Sequence, residues 1–281
     1  MENFMMTQEK LRRGLEKLNR AKERWGLTDD GDFFTSGNSL LQPVLSESRL
    51  AMLKVPLNGK GQSGFPLLVC WDGNGAAQVY RYDADALLME RAIGERSLKQ
   101  MVLAGQEDEA NTIICRVAER LHSCTCRPTP GLVALPVWFK SLGKAARRYG
   151  GQFTTCYETA DALLRAPLDE VVLHGDIHYD NILDAGPRGW IAIDPKGLVG
   201  ERGFDFANLF CNPDLTIAGS PERLSKQARL IARMTGIPLE RLLRWVIAWS
   251  GLMASWMLED REDPKLPVLV GELAIRELTG C

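Results

Sequence analysis

The sequence lacks the features that mark nucleic-acid-binding, membrane-spanning and secreted proteins. Lys and Arg number 34 against 36 Asp and Glu, so the net charge is -2 and the basic excess that favours nucleic-acid binding is absent. The longest nearly apolar run, residues 245–258, is 14 residues long, whereas about 20 are needed to span a bilayer. Residues 1–25 carry Lys and Arg throughout and lack the apolar core of a signal peptide. We therefore expect a cytoplasmic protein that binds neither nucleic acid nor a membrane.

The cysteines form neither a disulfide framework nor a zinc site in the sequence. They number seven, an odd count, and they are scattered. His122, Cys124 and Cys126 lie close together, but no second Cys/His pair stands at zinc-finger spacing, and structural zinc takes four ligands. We expect reduced thiols and no structural metal.

Composition and hydrophobic patterning favour a globular chain of two unlike halves. Hydrophobic residues make up 45% and charged residues 25%, and 281 residues correspond to roughly two units of about 150 residues. Strand-like segments dominate the first half and helical patterns the second. We expect an α+β fold with a small β-rich lobe over residues 1–92 and a larger helical lobe over residues 93–281. The predicted strands are 32–34, 40–45, 49–55, 79–82 and 86–89, and the predicted helices are 7–26, 107–122, 153–165, 221–235, 238–258 and 266–278.

One β-rich segment, residues 171–194, interrupts the helical half and carries chemically active side chains. Its second part is predicted to fold as a hairpin around a turn rich in Gly and Pro. Such a hairpin places Asn181 across from Asp194 at its open end, and Asp176 lies just upstream. Two of these oxygen-bearing side chains suit Mg²⁺, which is typically held by one or two carboxylates plus substrate phosphates. The third is left to orient or deprotonate a nucleophile.

The spacing of these residues is that of the protein-kinase catalytic loop. That loop has a His, an Asp two residues later and an Asn five residues after the Asp, and His174, Asp176 and Asn181 reproduce both intervals. Because the transition state of phosphoryl transfer is loose and charge-rich, catalysis is chiefly positioning and charge neutralisation. We interpret Asp176 as the catalytic group that accepts the proton of the acceptor hydroxyl. Asn181 and Asp194 are then the ligands of the metal on the phosphates.

The N-terminal half supplies a cation for the nucleotide. Lys54 matches the strand lysine that reaches the α- and β-phosphates, and the polar turn at residues 35–39 is expected to cover the phosphates. The glycines of residues 59–64 spell G-x-G-x-x-G, but they follow Lys54 and lead into Phe-Pro rather than a helix, so we interpret them as a connection.

The sequence also lacks the acidic partner that protein kinases give this lysine. No Asp or Glu occurs from residue 55 through residue 71, although the Lys–Glu pair must be in place in protein kinases. Two alternatives follow: Gln62 replaces the acid with a neutral hydrogen bond, or the phosphates alone hold Lys54. Pro66 is expected to begin any helix in this stretch.

Two long motifs carry a family resemblance. Residues 173–183, Leu-His-Gly-Asp-Ile-His-Tyr-Asp-Asn-Ile-Leu, and the Ile-Asp-Pro-Lys-Gly-Leu-Val-Gly-Glu stretch of residues 193–201 resemble the aminoglycoside/hydroxyurea antibiotic resistance kinases, and among these the aminoglycoside 6-phosphotransferases, or streptomycin kinases. The resemblance runs from about residue 25 to the C-terminus. It implies a protein-kinase-like bilobal fold, ATP with Mg²⁺, and a nucleotide-binding hinge formed by Met89, Glu90 and Ala92.

The resemblance also implies a cationic substrate. Streptomycin is a polyol with two guanidinium groups, which carboxylates and aromatic faces would recognise. Candidate acids and tryptophans occur in the C-terminal half, although core packing and a solvated helix end are the commoner explanation for each of them. The candidates are Asp205, Trp249, Trp256, Glu259 and Asp260.

The function expected from the sequence is ATP-dependent phosphorylation of the streptomycin 6-hydroxyl, which gives aminoglycoside resistance without an obligate protein partner. Two alternatives stay open: a kinase for another small hydroxyl compound, and a nucleotide-binding pseudokinase that scaffolds a partner. The joint presence of Lys54, Asp176, Asn181 and Asp194 argues against the pseudokinase.

Overall fold

The computed structural model describes residues 8–57, 64–124 and 131–280, which fold into two lobes with a cleft between them. Gln62, Cys126 and all but the last residue of the glycine-containing connection at 59–64 lie outside the described residues.

The smaller lobe is an antiparallel sheet with one long helix packed on it. The strand order is β1-β3-β4-β6-β5, and β2 pairs with β3. Since β4 lies between β3 and β6, Lys54 stands in the middle of the sheet, opposite Leu41 and Leu87. The elements are α1 (Gln8–Trp25), β1 (Thr28–Asp29), β2 (Phe34–Ser36), β3 (Ser39–Ser46), β4 (Arg49–Pro56), α2 (Phe65–Trp71), β5 (Val79–Tyr82) and β6 (Leu87–Glu90).

Helix α1 has an apolar stripe and a basic face, as the helical spacing of its leucines predicts. Leu18 and Ala21 are buried in a cluster with Leu40 and Leu53 of the sheet, while the arginines on the other face pair with neighbouring acids such as Glu16. The helix therefore belongs to the core of the small lobe.

The larger lobe is helical, with short strands that carry the cleft residues. Its elements are α3 (Leu98–Leu103), α4 (Glu107–His122), β7 (Val133–Ala134), α5 (Leu135–Trp138), α6 (Lys140–Tyr149), α7 (Gln152–Arg165), β8 (Glu170–Leu173), β9 (Ile182–Asp184), β10 (Trp190–Ala192), β11 (Leu198–Glu201), α8 (Phe204–Ala207), α9 (Leu215–Ala218), α10 (Pro221–Thr235), α11 (Leu239–Glu259) and α12 (Lys265–Gly280). Strands β9 and β10 form a hairpin, and β11 lies between β7 and β8.

Helix α11 is the central helix of this lobe and contains the apolar run noted in the sequence. It packs against α7 and α12, and Trp245, Val246 and Ile247 are all buried. Among the described helices, none combines the length and apolarity that a bilayer crossing requires.

Main-chain contacts join the two lobes behind the cleft. Ala77 N donates to Ala192 O at 2.9 Å, and Ala192 N donates to Gly75 O at 2.8 Å. Gly64, where α2 begins, lies so close to Pro195 that an added Cβ would stand 1.9 Å from the Pro195 carbonyl oxygen. Only glycine fits there, and α2 starts at Phe65, next to Pro66, as the proline predicts.

The expectation that all cysteines are reduced thiols is wrong at Cys70, which takes part in a disulfide. Cys115, Cys156 and Cys211 are buried free thiols. No group of three or more His, Cys, Asp or Glu side chains within residues 8–57, 64–124 and 131–280 forms a metal cage.

Candidate active site

The hairpin places Asn181 and Asp194 at the same open end, but Asn181 pairs with Ile193 rather than with Asp194, one position from the predicted pairing. Ile182 pairs with Ala192, and one position nearer the open end Ile193 N donates to Asn181 O at 2.9 Å. Local pairing therefore sets the position of both side chains. Asp194 adopts a positive φ of 59°, in the left-handed region that Asp tolerates better than most residues.

Asp176 is held at both carboxylate oxygens. Asn208 Nδ2 donates to Oδ1 at 3.0 Å, and Oδ2 receives Asn181 Nδ2 at 3.3 Å and Lys196 Nζ at 3.0 Å. Asn181 Nδ2 also donates to the Asp176 main-chain oxygen at 2.8 Å. The carboxylate is 23% exposed, so its orientation is determined while it remains open to the cleft.

His174 orients the loop from behind. It is fully buried; its Nδ1 accepts from Asp176 N at 3.3 Å, and its Nε2 lies 2.8 Å from Ile193 O. Because a carbonyl only accepts and an amide N–H only donates, the ring carries its proton on Nε2. Burial lowers the pKa of His174 despite the nearby Asp205 and Asp176 carboxylates, which raise it. Neutral His174 therefore links the main chain of Asp176 to the hairpin through one hydrogen bond at each ring nitrogen.

Asp194 is bracketed by two lysines. Lys54 bonds to Oδ1, and Lys196 Nζ lies 3.1 Å from Oδ2. Burial raises the pKa of Asp194, but Lys54 and Lys196 outweigh it and lower that pKa to about 2. The carboxylate is therefore ionised at neutral pH. Lys54 therefore contacts the Asp194 carboxylate, a partner that neither sequence-based alternative named. Gln62 lies outside the described residues, so the two alternatives stay predictions.

The oxygen donors of the site fit a magnesium ion rather than zinc. Asp194 offers a carboxylate, and Asn181 keeps its amide oxygen Oδ1 as an acceptor because its nitrogen faces Asp176. One or two protein ligands with the remaining positions left to phosphates and water are usual for Mg²⁺. The donor set matches a metal that arrives with a phosphate ligand.

The cleft has a volume of about 420 Å³ and opens between the lobes. Lys54, Asp176, Asn181 and Asp194 all line it, and Met89 of the predicted hinge lies on its wall. Glu90 instead bonds to Arg188 and to Gln78 N, and neither it nor Ala92 lines the cleft. The turn between β2 and β3 contributes Ser36 and Gly37, at the place expected for a phosphate cover.

The residues predicted for the substrate are not brought together with these groups. Asp205 is buried, and its carboxylate accepts from His174 N at 3.0 Å and Gly175 N at 2.7 Å and lies 2.8 Å from His122 Nε2. It is a structural carboxylate, so the substrate assignment is wrong for Asp205. None of the remaining four candidates, Trp249, Trp256, Glu259 and Asp260, lines the cleft.

The tryptophans form an aromatic cluster behind the cleft. Phe204 contacts Trp249 at a ring-centroid distance of 5.4 Å, and Trp256 contacts Trp249 and Trp138 at 5.6 and 5.4 Å, in edge-on geometry. Trp249 is 5% exposed, so packing explains it. Glu259 is exposed and accepts from Ser141 Oγ at 3.3 Å.

Two residues that hold the Asp176 carboxylate escaped the sequence analysis. Lys196 lies two positions after Asp194 in the Asp-Pro-Lys motif, and Asn208 follows Phe-Asp-Phe-Ala. A lysine two positions after the predicted metal ligand Asp194 is a detectable signal, since it is near enough to contact the same carboxylate. Asn208 gives no such signal, because 32 residues separate it from Asp176.

A buried polar network supports the catalytic loop. Tyr179 OH lies 3.0 Å from both Glu107 Oε1 and Asn111 Oδ1, and it accepts from Gln227 Nε2 at 3.1 Å. Arg223 pairs with Glu107 at 2.6 Å and donates to Asn212 O. Residues of α4 and α10 therefore anchor both the loop and the segment after Asn208.

Two lobes with a cleft lined by a lysine and carboxylates are the architecture of the protein-kinase-like phosphotransferases. The choline kinase LicA from Streptococcus pneumoniae has this fold with a TM-score of 0.63 at 14% identity, over 95% of this chain and 100% of that one. The model of the aminoglycoside/hydroxyurea antibiotic resistance kinases matches residues 24–261. The chain belongs to that family.

Two relatives within the family differ in the hydroxyl they are named for. A streptomycin 3''-kinase from Klebsiella pneumoniae is 45% identical over 243 residues, 85% of this chain and 91% of that protein. A streptomycin 6-kinase from Streptomyces griseus is 30% identical over 205 residues, 66% of this chain and 63% of that protein.

Proposed function

We propose that this protein transfers the γ-phosphoryl group of MgATP to a hydroxyl of streptomycin and so confers resistance to it. The observation that carries the proposal is the convergence of Lys54, Asp176, Asn181 and Asp194 on one interlobe cleft. The 45% identity to a streptomycin kinase supports the acceptor.

Each of the four residues has a role in this proposal. Asp176 accepts the proton of the attacking hydroxyl, and its clamped carboxylate suits a positioned base. Lys54 contacts the nucleotide phosphates. Asn181 and Asp194 hold Mg²⁺, which neutralises charge on the phosphates when bound. The wall around Met89 receives the adenine, with Glu90 and Ala92 completing the hinge through their main chain.

The hydroxyl that receives the phosphate stays open between two positions. The sequence motifs favour the 6-hydroxyl, whereas the higher identity and coverage of the 3''-kinase favour the 3''-hydroxyl. We favour 3'' because the stronger relative spans nearly the whole chain. Contacts of Trp256, Glu259 and Asp260 with the guanidinium groups stay predictions from the sequence, since none of the three lines the cleft.

A labelled-phosphate assay tests the proposal. Purified protein is incubated with γ-labelled ATP and streptomycin, hydroxyurea or kanamycin, with Asp176→Asn as the matched inactive control. We expect label on streptomycin alone, and phosphorus–proton correlation in the NMR spectrum of the product identifies the hydroxyl. Label on hydroxyurea only would show that hydroxyurea, not streptomycin, is the acceptor. Binding of MgATP without transfer to any of the three compounds would favour a pseudokinase.

A further inference from the structure

Lys196 stands between the two carboxylates of the cleft. Its Nζ lies 3.0 Å from Asp176 Oδ2 and 3.1 Å from Asp194 Oδ2. Lys54 bonds to the other oxygen of Asp194, Oδ1. Both oxygens of the expected metal ligand therefore contact an ammonium group, and one ammonium group joins that ligand to the expected base.

The main chain places Lys196 at this point. Lys196 N donates to His174 O at 2.7 Å, which ties the segment after β10 to the strand that leads into the catalytic loop. Gly197 follows with a φ of 74°, a conformation that glycine adopts without strain. The Lys196 side chain is 34% exposed and lines the cleft, so it can be reached by solutes.

Two carboxylates that face one ammonium group would repel each other without it. A lysine ammonium group is charged at neutral pH, and that of Lys196 lies within hydrogen-bond distance of an oxygen of each carboxylate. It therefore supplies the positive charge that keeps Asp176 and Asp194 side by side.

We propose that Lys196 is a built-in counter-ion and a positioning residue: it competes with free metal for Asp194 Oδ2 and holds Asp176 in place for transfer. This inference rests on the proposed roles of Asp176 and Asp194. It assigns Lys196 a function distinct from that of Lys54, which contacts only Asp194 of the two carboxylates.

Metal binding without nucleotide tests the competition. Mn²⁺ binding to the full chain is measured by electron paramagnetic resonance for wild type, Lys196→Ala and the control Lys226→Ala, whose lysine pairs with Asp108 on the surface. We expect Lys196→Ala to bind Mn²⁺ about fivefold more tightly, the factor that a partly exposed ion pair is worth. Unchanged or weaker binding overturns the counter-ion role. This assay needs no acceptor, so it stands apart from failure of the proposed function.

Turnover tests the positioning role. We expect Lys196→Ala to lower kcat on the order of 10²-fold, as loss of one preorganised charge does, with KM for the acceptor nearly unchanged. Propylammonium, which replaces the missing atoms, should restore part of kcat, and Lys196→Arg should keep more activity than Lys196→Ala. If Lys196→Ala fails to fold by thermal melting, Lys196→Met replaces it. A folded variant with wild-type kcat, or one that propylammonium does not rescue, overturns the positioning role.

Discussion

Two sets of carboxylates lie within one lobe and serve opposite purposes. In the cleft, the side chains of Asp176 and Asp194 are 23% and 41% exposed. Two lysines hold Asp194, whereas one lysine and two asparagine amides hold Asp176. Behind the cleft, Asp205 and Glu201 are 1% and 3% exposed and are held by main-chain N–H groups, His122, Trp245 and Arg241. Flexible cationic partners can be exchanged for a metal or a phosphate, whereas main-chain donors cannot. Exposure to the cleft, rather than the presence of a carboxylate, separates the acids of the active site from the buried acids that support it.

The comparison predicts its largest effect at Asp176. Asp176→Asn should lower kcat on the order of 10²-fold or more, since a positioned base contributes that factor, while MgATP binding and the melting temperature stay near wild type. Steady-state kinetics, calorimetric titration and thermal melting measure the three quantities. Asp161→Asn, which breaks only a surface pair with Arg165, is the control. Near-normal turnover in Asp176→Asn would remove Asp176 from the mechanism.

The next largest effect is a loss of stability when the buried carboxylate of Asp205 is removed. Asp205→Ala leaves His174 N and Gly175 N buried without their acceptor, which should lower the free energy of unfolding by about 3 kcal/mol. Urea denaturation measures this loss, and Asp85→Ala, in an exposed pair with Lys17, should change stability little. If Asp205→Ala keeps wild-type stability but loses activity, the division between the two sets is wrong.

Tyr179 should show a smaller loss of stability. Tyr179→Phe removes a buried hydroxyl that bonds to Glu107, Asn111 and Gln227, so about 1–2 kcal/mol of unfolding free energy should be lost. Because the loop geometry depends on this network, kcat should fall a few-fold while KM for ATP is unchanged. Tyr157→Phe, on an exposed tyrosine, is the matched control. If Tyr179→Phe has wild-type stability, the hydrogen bonds of the Tyr179 hydroxyl do not contribute to the free energy of unfolding, and this prediction is wrong.

The smallest effect is the pH dependence that Asp194 adds. Its pKa is lowered from 3.8 to about 2 in the folded chain, so the carboxylate stabilises the fold above pH 3.8 and this contribution is lost as pH falls toward 2. The stability difference between wild type and Asp194→Asn, below about 1 kcal/mol after solvent screening, should be smaller at pH 3 than at pH 6. Urea titrations at the two pH values measure it. If the stability difference between wild type and Asp194→Asn is larger at pH 3 than at pH 6, Lys54 and Lys196 do not stabilise the ionised Asp194 carboxylate in the folded chain.

Local pattern predicted the hairpin of the cleft because its pairing is short-range. Ile193 N bonds to Asn181 O across the hairpin, so strand alternation and a Gly-Pro turn suffice to bring Asn181 and Asp194 to the same end of it. Helix α6 escaped the sequence analysis, because the basic stretch Lys140–Tyr149 shows fewer apolar positions than its neighbours. Its packing against α7 stabilises it where local propensity does not.

The predicted substrate residues show what sequence spacing cannot determine. The spacing of Trp249 and Trp256 places them on one helix face, but spacing alone does not say what that face meets. In the folded chain it meets Trp138 and Phe204, which come from distant segments. A carboxylate such as Asp205 is likewise either a ligand group or a buried acceptor, depending on which main-chain donors surround it.

The sequence by itself determined the fold class and the intervals between His174, Asp176 and Asn181, because these depend on local periodicity and on residues near in the chain, and its motifs carried the family resemblance. Tertiary structure alone decided that Lys54 pairs with Asp194, 140 positions away, and that Asn208 holds Asp176. These contacts arise when separate segments pack together. Burial and the choice of hydrogen-bond partner are properties of that packing, so no local pattern contains them.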